Sequence, residues 1–368
     1  MKRPQAGFSL VELMIAIAIA MVAALVVLQV LSIYQARKQT TVGRNDAQIS
    51  AALGLYEIES ETRMSGAGFT TPNGQLCSLG INIAYNNVTT SNSDSLRGIR
   101  IVDGGAGKPD TLELMRSNAA LGAAPTTILQ LMASTTAAIT VDSRAGLNSG
   151  DLLIAATPDS SKVCTLMQLS QAPVANGTSW NLVHTNTSSS LYNPTNPSSS
   201  FSTAVNYDAQ DIVINLGAYG IRRYGVICND QQTPRFNNNC DLVWYPRGNG
   251  TTIPALASAN SIASQIIDFQ AQYGIADANS ATVNDWVDAT GIWAAPSLTN
   301  QQRIRAIRLA IVARGNQESG TVAPASLTLW NDGVTPAATR TLSTEERRYR
   351  YQVLSVVVPL INVIWSGQ

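Results

Sequence analysis

MKRPQAGFSLVELMIAIAIAMVAALVVLQVLSIYQA, residues 1–36, decides how the rest of the chain is read. Between residues 8 and 36 the one charged side chain is Glu12, and LMIAIAIAMVAALVVL at 13–28 is apolar without a break. A helix crosses a bilayer with roughly 20 mostly apolar residues, so this stretch is long enough to span. It is too long for an ordinary signal peptide, whose apolar core is roughly 7–15 residues, although Met21-Val22-Ala23-Ala24 has the small residues of a weak cleavage site. A plain signal anchor leaves Glu12 unexplained, because a carboxylate near the start of a membrane helix costs about 3 kcal/mol without a partner. Lys2 and Arg3 precede the run and favour a cytoplasmic start with the remainder exported, although Arg37 and Lys38 follow it.

Outward from this stretch, no proline occurs between Pro4 and Pro72, so one helix is predicted over residues 8–64. Gly43 and Gly54 are its weak points, and SGAGF at 65–69 ends it. At 1.5 Å per residue it would be roughly 80 Å long. Its second half, 37–64, carries Val42, Ile49, Leu53 and Tyr56 on one stripe, which is expected to pack on a sheet as core.

The pattern of the first residues resembles the class III signal of type IV prepilins and pseudopilins: a short basic leader ending in glycine, then Phe, then Ser-Leu-Val-Glu-Leu. The resemblance implies a leader of residues 1–7 cleaved by a prepilin peptidase after Gly7. It implies an N-methylated Phe8 at the new terminus and Glu12 as the fifth mature residue, used in assembly. Helices drawn into a filament bury that carboxylate, and a neighbour's Phe8 ammonium would compensate it and set the register. The fold class implied is α+β: a long pilin helix, with residues 8–36 as its transmembrane half and 37–64 amphipathic, packed on a large antiparallel β-rich periplasmic head, 65–368. Farther along, IRRYGVI, LVWY, FQAQYGI, RIRAIRLAIVAR and VVPLINVIW resemble the PilW group of minor pilins, with Ile361 standing where an Arg would be expected.

The head reads as strands by alternation and β-branched content: GIRIV (98–102), TLELM (111–115), TTILQLM (126–132), DLLIAA (151–156), KVCTLMQL (162–169), DIVINL (211–216), IRRYGVI (221–227) and DLVWY (241–245). IASQIIDFQAQYGI (262–275) is expected to begin as a short helix and end as a strand. RIRAIRLAIVAR (303–314) suits a strand with one wet face, and RYRYQVLSVVVPLINVI (348–364) a last strand interrupted at Pro359. NTSSSLYNPTNPSSS (186–200) is low-complexity and reads as a surface loop or as a division between two lobes near 186–205.

Composition narrows the function. Charged residues are 13% and apolar residues 45%, enough for a substantial core and too little charge for a nucleic-acid coat. Lys+Arg and Asp+Glu are both 24, and loss of residues 1–7 leaves 22 against 24. No basic stripe with aromatics suggests nucleic acid. The cysteines, 77, 164, 228 and 240, favour two disulfides in an exported head. Four cysteines allow three pairings. Cys228–Cys240 is favoured because NDQQTPRFNNN reads as a loop joining two strands, leaving Cys77–Cys164. With one histidine, His184, and no Cys-x-x-Cys, neither a zinc site nor a nucleophile–base pair is expected, and no cofactor. Val102-Asp103-Gly104-Gly105-Ala106-Gly107 lacks the Gly-Lys-Ser/Thr of a phosphate loop and reads as a hairpin turn. Asn331-Asp332-Gly333 is a turn rather than a calcium site. Glu345 to Arg348, and Arg222 with Arg223, read as solvated surface.

The chain therefore reads as a structural assembly protein, not an enzyme. The resemblance implies a minor pilin that joins other minor pilins, the major pilin and the assembly platform to initiate a type IV pilus near its tip, with a tip adhesin as a further partner. It would sit in the bacterial inner membrane, head in the periplasm, before reaching the surface. Alternatives are a type II secretion pseudopilin, or a ligand-binding tip pilin using the region 76–205.

Overall fold

The computed structural model describes residues 9–67, 70–71, 74–94, 96–105, 107–121, 124–218, 220–228, 240–246, 256–277, 280, 282–318, 322–330 and 339–364. Helix α1 (Leu10–Met64) runs 55 residues without a break, about 80 Å. Ser9 caps its start, and the helix ends where Ser65 turns extended, its backbone N–H and its hydroxyl both donating to the Thr62 carbonyl. The remainder is β-rich, and the fold is α+β.

Three larger sheets build the head. A four-stranded antiparallel sheet runs Asp285–Val287, Ile266–Ile275, Ile304–Glu318, Tyr349–Pro359. A five-stranded antiparallel sheet runs Asn260–Ser264, Cys240–Pro246, Ile221–Cys228, Thr111–Met115, Ile99–Val102. The third, an outer sheet of six strands, runs Val88–Asp94, Ile81–Tyr85, Cys164–Gln168, Leu152–Ala156, Ile212–Gly217, Pro125–Thr127. Its pair Ile81–Tyr85 and Cys164–Gln168 is parallel, against the antiparallel rule elsewhere. Asn86 and Asn87, both at positive φ, close the tight hairpin between Tyr85 and Val88, a backbone conformation asparagine tolerates.

One core joins α1 to the four- and five-stranded sheets: Ala47, Ala51 and Ile58 meet Leu112, Leu242, Phe269 and Ile311. Two further cores fill the outer unit and contain no helix residue. Met115 and Ile221 are paired neighbours, so the chain leaves the five-stranded sheet after 115, builds most of the outer unit, and returns at 221. Residues 186–205 lie within that excursion, and the strand that follows them pairs with Leu152–Ala156. The expected division near 186–205 therefore falls inside one unit. The segment is a surface loop over much of its length, with Ser190, Tyr192 and Asn193 turned in and buried. The Asn193 amide donates to the Gln168 and Thr185 carbonyls and accepts the Gln168 N–H, so polar side chains replace a sheet ladder.

Other expectations change for identifiable reasons. The stripe Val42, Ile49, Leu53 and Tyr56 is exposed, at 50, 66, 53 and 71%. The helix instead lays Ala47, Ala51 and Gly54 on the sheets, because a close approach needs small residues. A Cβ on Gly54 would stand 2.7 Å from Leu242 Cδ2. The segment 262–275 has no helix: it is two strands bent at Gln265, whose φ is +61°. TTILQLM pairs as a strand only through Thr127, with Ile128 in an isolated bridge. From Ile304 to Gly315 the Arg-spaced strand has no wet face. Ile307, Leu309 and Ile311 face the helix side, while Ala310 and Val312 meet Leu329 and Trp330. Arg308 lies between the Trp286 and Trp330 rings, 5.0 and 4.5 Å from their centroids, and its guanidinium donates to Gln272. Arg223 is buried against Glu113 at 2.8 Å, and Glu346 against Arg340 at 2.8 Å, so neither is solvated surface. The turn from Val102 to Thr111 does close a hairpin. Asn331-Asp332-Gly333 lies outside the described residues.

Two disulfides brace the head. Cys77–Cys164 joins the start of the outer sheet to its parallel pair, with Cα atoms 5.4 Å apart. Cys228–Cys240 joins directly paired strand ends, with Cα atoms 4.0 Å apart.

Candidate functional site

The candidate site is helix α1 itself. Gly7 and Phe8 lie outside the described residues, so the chemistry begins at Ser9. The Ser9 backbone N–H donates to Glu12 Oε2 at 3.0 Å, and the Ser9 side chain accepts from the first turn, a reciprocal capping box. Glu12 thus serves the single chain by satisfying an orphan donor and meeting the positive end of the helix dipole. It is exposed, one turn into the helix, where a cation from another chain can reach it.

Leu10–Gln35 is long and apolar enough to cross a membrane, and none of its window is buried against the head. Beyond it the helix has two opposed faces. At 100° per residue, Ala47, Ala51, Gly54 and Ile58 share one side, and Val42, Ile49, Leu53 and Tyr56 share the other. The outward face continues the apolar character of the spanning segment into water, which is unusual for a surface that stays solvated.

The inward face is fastened at its end. Glu61 is buried, and Arg116 donates to it in a bidentate pair, with Oε1 at 2.7 Å. Arg222 approaches the same carboxylate at 3.7 Å and stacks 4.4 Å over Trp244. From the far end of the chain, Asn362 Nδ2 donates to the Ser65 carbonyl at 2.9 Å. Gly66 and Gly98 touch backbone to backbone: a Cβ on Gly98 would sit 2.6 Å from Gly66 Cα. Sequence reasoning did not single out Glu61, Arg116 or Asn362. The signal available was Glu61 itself, an acidic residue falling on the small-residue face of the helix.

Among the described residues, no group of three or more His, Cys, Asp or Glu side chains converges as a metal site would require. His184 is buried, with its Nε2 3.4 Å from the Thr135 carbonyl.

The comparisons agree with the two ends of the chain. Residues 2–28 match the model of the prokaryotic N-terminal methylation motif, and residues 245–362 match that of the type IV pilus-assembly protein W family, PilW. The second match covers the whole four-stranded sheet and the Asn362 clamp. No curated protein matches the chain. A type IV-like pilin from Thermus thermophilus is similar at 14% identity and a TM-score of 0.23, over 39% of this chain and 66% of that one. The chain thus spans somewhat less than two thirds of that structure's length, and a likeness this distant carries no argument. The chain thus carries a prepilin methylation motif at the start of an exposed apolar helix, and its last third is similar to the type IV pilus-assembly protein W family in the sheet that grips that helix from one side.

Proposed function

We propose that this chain is a minor pilin of the PilW group that joins other minor pilins to initiate type IV pilus assembly, close to the filament tip. The observation that carries the reading is the unpartnered outward face of α1, Val42, Ile49, Leu53 and Tyr56, in continuity with the bare segment Leu10–Gln35. The head covers the opposite face, which leaves this one for neighbouring helices. A prepilin peptidase would cut after Gly7 at the cytoplasmic side of the inner membrane, leaving a methylated Phe8 amine. That amine would then pair with Glu12 of an adjacent pilin. A head of this breadth suits the end of a filament better than a densely repeated shaft. The role is structural rather than enzymatic.

Glu12→Leu tests the reading. Membrane insertion favours the leucine, and the head does not touch residue 12. The variant is expected to be inserted, cleaved and folded normally, yet to give fewer sheared pili and poor recovery of co-purifying minor pilins. Normal piliation with a fully processed Glu12→Leu subunit would reject a register-setting role for the carboxylate.

A further inference from the structure

The strand Tyr349–Pro359 is the last of the four-stranded sheet, and its outer edge pairs with no other described strand. It is eleven residues long, about twice the usual 5–6. Its register to Ile304–Glu318 is unbroken from Pro359, opposite Ala306, to Tyr351, opposite Arg314. Exposed edges are ordinarily blunted by shortness, proline, charge or bulges. The other edges of the larger sheets follow that rule. Asp285–Val287 and Pro125–Thr127 have three residues each, the second with a proline, and Ile99–Val102 has four and an arginine. Asn260–Ser264 and Val88–Asp94 both pair in a shifted register. From Tyr351 to Val358 the long edge has none of these devices and no charged side chain.

Hydrogen bonding fixes which backbone groups face outward. The Leu360 N–H donates to the Arg305 carbonyl at 2.9 Å, and the register sets these two residues opposite each other. The Arg314 N–H donates to Gln265 on the far side of its own strand, so Ala313 is the one turned towards Gln352. Bonds alternate along an antiparallel pair, and both observations give the same alternation: Gln352, Leu354, Val356 and Val358 bond inward. The N–H and C=O groups of Val353, Ser355 and Val357 point outward, and among the described residues no hydrogen bond reaches them. Pro359 shares their parity, the place where a strand loses nothing by lacking an N–H. Side-chain burial agrees with an uncovered edge. Leu354 and Val356 are half-buried, whereas Ile311 and Leu309, directly opposite them, are fully buried. Ser355 and Val357 are exposed.

The direction of the strand selects the occupant. Gly315 lies against Gly43 of α1 and Arg350 at the strand's start, and Asn362, just past its end, donates to Ser65 at the end of α1. Helix and strand therefore run the same way. Antiparallel pairing of this edge with its own copy would turn the second α1 end for end, and the two segments Leu10–Gln35 could not enter one membrane in the same sense. A copy standing upright offers only Asp285–Val287 as an opposed edge, three residues against eleven. We propose that Tyr349–Pro359 accepts an antiparallel β-strand from a different protein chain, by main-chain bonds to Val353, Ser355 and Val357. That strand is uncharged at its centre, since nothing between Tyr351 and Pro359 would compensate a charge, and its alternate residues are apolar where they cover Leu354 and Val356. The inference rests on the assembly reading for the presence of a second chain, and on the edge alone for how that chain is held.

The test solubilises the full-length chain in detergent twice, once expressed alone and once from its own membranes with the minor pilins that co-purify. Hydrogen exchange is read residue by residue by mass spectrometry. In the chain alone, the amides of Val353, Ser355 and Val357 should exchange at least about tenfold faster than those of Leu354, Val356 and Val358. In the complex the outward amides should slow about tenfold or more, and the inward ones should not change. Ser355→Pro supplies the second arm, because it removes an outward N–H and sets a ring where the added strand would lie. It should melt as wild type does and recover several-fold less of the bound chain, while Ser355→Thr, which keeps the N–H, recovers it in full. An intact wild-type complex whose outward amides stay fast overturns the edge and leaves the helix-face reading standing. Full recovery with Ser355→Pro does the same, as does slow exchange at the edge in the chain expressed alone. Recovery of no bound chain by wild type overturns both readings.

Discussion

The two faces of α1 below the membrane segment are both apolar, yet one is buried and the other bare. Ala47, Ala51, Gly54 and Ile58 lie on the sheets, while Val42, Ile49, Leu53 and Tyr56 stand in solvent. By hydrophobicity alone the assignment should be reversed, since the bare face carries the larger side chains. Size decides it. A helix that must lie flat on two sheets along several turns needs small residues at the contact, and Gly54 has Leu242 Cδ2, Ala263 Cβ and Ile311 Cδ1 within 3.5 Å of where a Cβ would be. Intramolecular packing thus consumes the small residues and leaves the large ones exposed.

The contact is broken most severely at its ionic end. Removing Glu61 leaves the half-buried Arg116 without its carboxylate; loss of one partner of a fully buried pair costs about 3–5 kcal/mol, and the solvent that Arg116 keeps puts this loss at or below the lower end. Glu61→Ala should therefore lower the denaturation midpoint strongly, whereas Arg116→Met with Glu61→Leu should recover much of the loss. Next comes the close approach: Gly54→Leu should cost about 1–3 kcal/mol by overpacking and lift the helix from Leu242. Gly54→Ala should cost less, since Leu242 Cδ2 is the end of a flexible side chain. Chemical denaturation of each variant measures both effects.

A smaller effect sharpens the picture of the sheets beneath the helix. Asp110 accepts N–H bonds from Gly104 at 3.0 Å and Ala271 at 2.8 Å, tying the five-stranded sheet to the four-stranded one. Burial outweighs both bonds and pushes its carboxyl up to about 7, with Asp103 and Asp268 acting the same way as burial. The folded state therefore holds a proton that the unfolded chain releases near 3.8. Its contribution is complete below that value and is lost as pH rises towards about 7. His184, buried neutral, works oppositely on acidification below 6.5. The difference between wild type and Asp110→Asn isolates the carboxyl: the variant's stability should fall less between pH 4 and 8 (roughly the span of the two values). Parallel profiles would remove Asp110 as the cause.

Much of this was legible in residue order. The uninterrupted helix follows from the absence of proline through residue 71, and its end from Ser65-Gly66. Alternation found the strands at 111–115, 152–156 and 221–228. Patterns failed where a second layer altered the meaning of polarity. Arg308 reads as solvent-facing until Trp286 and Trp330 arrive from distant segments to enclose it. Asn193 and Ser190 read as loop until their side chains are seen to supply the hydrogen bonds of a ladder. Gln265 gave no warning of a bend, because nothing in the alternation of its neighbours distinguishes a positive φ. The Glu12 motif was plain because spacing alone defines it. The clamp at Glu61 was not, because its partners stand at 116 and 222.

The central claim is that the outward face serves other chains and the inward face serves this one. The direct measurement compares the triple variant Ile49→Asn, Leu53→Asn, Tyr56→Ser with wild type in two readouts, thermal unfolding of the purified protein and recovery of minor pilins bound to it in membrane extracts. The exposed positions should cost no more than about 0.5 kcal/mol each, while recovery of the bound minor pilins falls several-fold. A variant that unfolds markedly earlier, or one that retains its partners in full, would contradict the division of the helix into an inner and an outer face.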